Sequence, residues 1–194
     1  MIKQQEFEET INRVKEMSDF RDEVELMTHE LIEKNEDVLG LCLMLFSWNF
    51  ANMRNMLKTF TIHKFREVLE EIEPTFKELE NERFETSDFH NLSKKISFIF
   101  NKLNPLIQHT GTSKVMYFKN PNLFVMWDTG IRKKWEIKEV DAKTPEGYIS
   151  FLNLMKKEFS HIEWKNKEIS FARAIDIYNF VINQEKIKTK RNSP

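Results

Sequence analysis

Apolar side chains recur along this chain at intervals of three and four, the spacing that gives a helix one buried face. Phe7, Ile11, Val14 and Met17 mark a first helix over about residues 3–17, and Ser18 or Asp19 is placed to cap a second carrying Phe20, Val24, Met27, Leu31 and Ile32. Asn35 to Asp37 interrupts the pattern. Val38 to Phe50 is apolar nearly all round, which predicts a central helix buried against several neighbours, and the continuation SWNFANMRNML favours a helix or two helices meeting. A buried strand over Leu39 to Phe46 is the alternative for that run.

Further on, Thr61 caps a stripe of Phe65, Val68, Leu69 and Ile72 that Pro74 ends or kinks. Ser87 or Asp88 opens a helix through Leu92, Ile96, Ile99 and Phe100, expected to stop before Pro105. The stretch LIQHTGTS reads as a turn leading into a helix from Lys114 to Phe118. NPN is a second turn, LFVMW a short apolar segment, and Asp128 or Thr129 an N-cap. Trp135 to Thr144 is loop-like. Pro145 suits the first turn of a helix with Tyr148, Phe151, Leu152 and Met155; Ser170 caps the last helix, with Phe171, Ala174, Ile175 and Tyr178 inward. The expectation is an all-α bundle of about eight to ten helices. It forms one domain over residues 1–194, or two lobes with a cleft between them, and residues 185–194 are read as a basic flexible tail.

Composition agrees: four Gly and five Pro in 194 residues leave few sites for tight turns, favouring long helices over many short strands. The lone cysteine, Cys42, lies in an apolar run and reads as an inert thiol, so neither a metal nor a cofactor is expected. The N-terminus lacks a signal-peptide pattern and Val38 to Phe46 is too short to span a bilayer, so no membrane partner and a cytoplasmic location are expected. The net charge of −1 carries no nucleic-acid signal by itself, but its distribution does. From Lys102 to Lys134 there are six cations, Lys102, Lys114, Lys119, Arg132, Lys133 and Lys134, against Asp128 alone, while Glu67 to Glu85 is strongly acidic.

Chemistry is concentrated in GTSKVMYFKNPNLFVMWDTGIRKKW, Gly111 to Trp135. Gly111 frees the backbone for a turn, and Thr112 or Ser113 caps the helix that follows. Lys114 in that first turn sits against the helix dipole, which favours its neutral, nucleophilic form. Asp128, fourteen positions later at another helix start, is held charged and can stabilise positive charge. Either residue can equally be structural, a lysine reaching out from a core face and an aspartate closing a helix end.

The order of an apolar lead (Leu103, Leu106, Ile107), Gly111, Lys114 and the helix-opening DTGIRKKW resembles the helix-hairpin-helix DNA glycosylase superfamily. Ser113 stands where that family usually has a second Gly. The resemblance implies duplex DNA with a modified base as partner, Lys114 as Schiff-base nucleophile, Asp128 as charge-stabilising carboxylate, and Gly111 as hairpin turn. In that reading Trp48, Asn49, Asn52, His109 and Trp127 bind the extruded base. Arg54, Gly111, Thr112, Ser113, Lys119, Arg132, Lys133 and Lys134 hold the DNA backbone. Two other readings stay open: a non-catalytic helical nucleic-acid-binding module, and a protein-interaction domain docking through Glu67–Glu85.

Overall fold

The computed structural model describes residues 2–15, 20–166 and 168–191, without the side chains of residues 15, 20–22 and 184–191. The caps expected at Ser18 and Asp19 lie outside the described residues. Ten helices follow in order: α1 (Gln4–Lys15), α2 (Phe20–Glu33), α3 (Asp37–Trp48), α4 (Phe50–Met56), α5 (Ile62–Leu79), α6 (Ser93–Lys119), α7 (Thr129–Lys134), α8 (Glu139–Ala142), α9 (Pro145–Phe159) and α10 (Phe171–Arg191). Among the described residues there is no strand, and no helix is long and apolar enough to cross a membrane. The all-α bundle expected from the periodicity is what forms, and α10 runs as helix to Arg191 through much of the segment read as a tail.

Caps and stripes explain most of these elements. Thr61 accepts from the Lys64 N–H to open α5, whose Phe65, Leu69, Ile72, Phe76 and Leu79 form one buried face. Thr144 accepts from the Gly147 N–H to open α9, with Pro145 in its first turn. Asn49 ends α3 and opens α4 with φ −127° and ψ 23°, dividing the apolar run into two helices at a bend.

Two proline expectations are corrected. α5 continues through Pro74 and α6 through Pro105. Each ring is exposed, as are Glu70 and Asn101, the residues whose carbonyls lose a helical partner, so water replaces the missing bond. The helix begins at Ser93, whereas Ser87 and Asp88 form turns before it: Asp88 accepts from the His90 N–H, and the Ser87 hydroxyl accepts from the Arg83 N–H. The segment read as loop contains α8.

α2 packs along α3, α5 and α9 pack on α6, and α1 lies on α10. Phe7 joins α1 to Phe159, Trp164, Phe171 and Tyr178 through ring contacts of 5.4 to 6.1 Å. A second aromatic group, Trp127, Tyr148 and Phe151, fills the other end of the core.

Leu123 to Trp127 is buried without strand pairing; the Leu123 and Phe124 N–H groups bond the Asn120 carbonyl, and side chains satisfy groups further along. Tyr148 Oη donates to the Val125 carbonyl at 2.9 Å, and Ser113 Oγ lies 3.3 Å from both the N–H and the carbonyl of Trp127. Asn120 Nδ2 donates to the Leu79 carbonyl at 2.7 Å, pinning the NPN turn to the end of α5. Removing one such donor leaves a buried carbonyl without its bond. Tyr148→Phe is therefore expected to lower unfolding free energy by about 1–3 kcal/mol at unchanged denaturant slope; chemical denaturation followed by tryptophan fluorescence reads this, and an unshifted midpoint would refute the assignment.

Candidate functional site

The expected turn does occur, three residues before Gly111. Gln108 interrupts α6 with φ 56° and ψ 166°, a conformation that costs a non-glycine residue about 1–3 kcal/mol. Helix resumes at His109, and every residue from His109 to Phe118 is buried. Gly111, Thr112 and Ser113, expected as a phosphate-holding turn, lie inside this helix. Gly111 serves close packing instead: a Cβ there would come within 3.1 Å of Asn49 Nδ2 and 3.2 Å of Leu45 Cδ2. Ser113 is occupied by Trp127, and Thr112 is fully buried.

The Ser113–Trp127 bonds join the two segments that carry Lys114 and Asp128. The Lys114 amine donates to the Trp48 carbonyl at 2.5 Å and lies 5.9 Å from the centre of the Trp48 ring. The bend at Asn49 makes that contact available, because the Asn52 N–H bonds to the Asn49 carbonyl rather than to Trp48. The amine thus sits at the C-terminal end of α3, where the helix dipole favours its charged form. This reverses the electrostatic setting expected from its own helix. Asp128 is the N-cap of α7, its Oδ1 accepting from the Ile131 N–H at 2.7 Å.

Asp176, unforeseen in the sequence, sits within electrostatic reach of both. Burial raises its carboxyl to about 6, with Glu25 and Asp128 pushing the same way and Arg173 and Lys114 opposing. The Arg173 guanidinium bonds Asp176 at 2.5 Å and Glu25, and Tyr117 Oη donates to Glu25 at 2.7 Å. Arg173 lies 5.9 Å from both the Trp48 and Tyr117 ring centres. Lys114 and Arg173 therefore both approach the Trp48 ring, and Glu25 and Asp176 are held by Arg173.

The remaining expected residues divide sharply. Asn49 is buried, and its Nδ2, like Trp48 Nε1, has no acceptor among the described residues; Asn52 donates to Asn49 Oδ1 at 2.8 Å. Trp127 is core, its Nε1 donating to the His109 carbonyl at 3.0 Å. Of the expected phosphate contacts, Lys119 is held by Asp37 and Glu73 at 2.5 and 2.6 Å. Arg132 is 3% exposed and bonds Thr110 and Glu139. Lys134 donates to Asn179 and stacks on Trp135 and Tyr178. Arg54 and Lys133 face solvent. Among the described residues no three His, Cys, Asp or Glu side chains converge on a metal position.

His109 is also buried. That burial, aided by the neighbouring Arg132, lowers its imidazole to about 4, so its 3.8 Å approach to Glu139 is not an ion pair at neutral pH. Asp176 and His109 act oppositely on stability. Folded Asp176 holds its proton above the usual carboxylate range of about 3.9, so its contribution declines as pH rises from about 4 to 6. Folded His109 resists protonation, so its contribution grows with pH from about 4 to 6.5. Accordingly, the stability difference between Asp176→Asn and wild type should rise across pH 4–6, by roughly 2 kcal/mol. The corresponding difference for His109→Gln should fall. Denaturation midpoints at four pH values test both; flat differences would refute the two burial assignments.

No family model, curated protein or solved structure matches this chain. Among the expected site residues, Lys114 meets Trp48, and Lys114 and Asp128 both lie within electrostatic reach of the Arg173-bound Asp176.

Proposed function

We propose that the chain is a DNA glycosylase. Asp128 stabilises positive charge on the sugar as the base departs, and Lys114 supplies the amine for a lyase step. The observation that supports this reading is Asp176, which lies within electrostatic reach of both Lys114 and Asp128, together with the Ser113–Trp127 bonds that join their two segments. Clustered, partly buried ionisable groups are more often working parts than supports, since isolated burial of charge is costly.

In this reading an extruded nucleotide approaches Trp48 and Asn49, whose ring N–H and amide N–H₂ offer donors to a base edge. Asp128 keeps Oδ2 out of its capping bond and so has a charged oxygen to present to the sugar. For the lyase step the Lys114 amine leaves the Trp48 carbonyl and gives its proton to a carboxylate. Asp176 is suited to receive it because its carboxyl is already held near 6. The freed amine attacks C1′ and the N-glycosidic bond breaks, the departing base taking the proton that Asp176 received. The C1′–O4′ bond then opens, leaving a protonated Schiff base at C1′ and a C4′ hydroxyl that takes the remaining amine proton.

A second reading, a non-catalytic nucleic-acid-binding module, is favoured by one observation: the α3 C-terminus and the Trp48 carbonyl hold Lys114 as an ammonium. Incubation with oligonucleotides carrying a panel of modified bases, followed by borohydride reduction, separates the two. The enzyme reading expects base release and a covalent adduct. Lys114→Gln should abolish the adduct and Asp128→Asn should slow base release roughly a hundredfold. DNA binding that survives in both variants, with no base ever released by the wild type, would leave the module reading alone.

A further inference from the structure

From Val38 to Arg66 the chain has no aspartate or glutamate, although acidic residues occupy 31 of its 194 positions, and it carries Arg54, Lys58, Lys64 and Arg66. This stretch builds α3, α4 and the start of α5. Its surface is apolar as well as basic: Phe50 is 61% exposed, Leu57 55% and Phe46 37%. Phe50, Arg54, Leu57 and Lys58 follow at i, i+4, i+7 and i+8, one face of α4 and the turn after it, about 12 Å long. Phe46 flanks that turn through its contact with Phe60, ring centres 6.3 Å apart.

Several cations elsewhere in the fold have counter-charges. Lys95, Lys102, Lys119, Arg132 and Arg173 each pair with a carboxylate. Arg54, Lys58 and Lys64 face solvent, and no acidic group among the described residues pairs with them. An exposed apolar face alone would suit many partners. One edged by unneutralised cations suits a flexible polyanion that also carries flat apolar surfaces.

We propose that this face is a landing surface for single-stranded nucleic acid. Bases stack on Phe46 and Phe50, and Arg54, Lys58 and Lys64 contact the phosphates. It rests on the reading of the chain as a nucleic-acid protein and specifies the form of the substrate. The surface adjoins Trp48 and Asn49, so a strand lying along α4 leads toward the donors at the α3–α4 bend. Recognition here is indifferent to sequence, because every base offers a stacking face and every nucleotide a phosphate.

Fluorescence anisotropy of the intact chain with a labelled oligothymidylate tests the assignment between 50 and 200 mM salt. Three phosphate contacts predict a log–log salt slope of about −2 for a single strand. Phe50→Ala should weaken binding roughly tenfold. Arg54→Glu with Lys58→Glu should remove most of the affinity and flatten the slope. All three positions are exposed, and the melting temperature should not move. No binding at 50 mM salt, equal affinity for a duplex, equal competition by polyglutamate, or affinities unmoved in these variants would each overturn the proposal. The proposed base excision is read separately: strand binding without base release sinks the enzyme reading alone, and base release from duplex without strand binding sinks this one alone.

Discussion

A buried guanidinium sets the terms for the rest of this fold. Arg173 is enclosed by Glu25 from α2, Asp176 from its own helix, Tyr117 from α6 and the Trp48 ring from α3. Its neighbouring anions hold it firmly protonated despite its burial. Removing either carboxylate would leave the charge partly uncompensated, at a cost of about 3–5 kcal/mol. The arrangement is specific more than it is stabilising: three helices must arrive in register for one cation to be satisfied, a geometric demand an apolar core would not make.

That demand turns the second half of α6 into a hub. Tyr117 reaches α2, Lys114 the end of α3, Lys119 Asp37 on α3 and Glu73 on α5, and Ser113 the buried segment at Trp127. Lys119 is held charged because bonds and attraction from its two carboxylates outweigh burial. Helices usually point charges outward; this one points them at its neighbours and leaves no face to solvent. A helix so enclosed has to enter and leave through abrupt turns. The strained conformation of Gln108 and the Asn120 side-chain bond to α5 serve those ends.

The same enclosure explains what could be read from the sequence. Periodicity reveals which side of a helix is apolar, so α1, α5, α9 and α10 were legible, as were the caps at Thr61 and Asp128. A residue-by-residue scan assigns a turn to glycine because glycine turns without strain. Here Gln108 carries the turn and Gly111 provides clearance for Asn49, a difference that depends on contacts from another helix. The prolines misled for a related reason: a missing helical bond matters little where the orphaned carbonyl meets water. That Lys114 and Asp128 stand at candidate positions was legible from their local contexts. Asp176, Arg173 and Glu25 were not, since each looks like an ordinary helix-surface charge until the helices are assembled. Basic residues deceived most, because sequence counts cations and cannot see that Lys119 and Arg132 meet carboxylates from other helices.

The bend at Asn49 joins these threads. Were α3 and α4 one helix, the Trp48 carbonyl would bond the Asn52 N–H and have no need of the Lys114 amine. Trp48 and Phe50 would then follow a single helical rotation. With the bend, Trp48 turns inward onto Arg173 and Lys114 while Phe50 stands out in solvent two residues away. One interruption therefore exposes one aromatic, partly buries another, and leaves between them an asparagine whose amide N–H₂ lacks an acceptor among the described residues. A continuous helix would be cheaper by its restored bonds and by the desolvated amide. That the chain keeps the bend argues that its inner and outer aromatics are arranged for something that passes from one to the other.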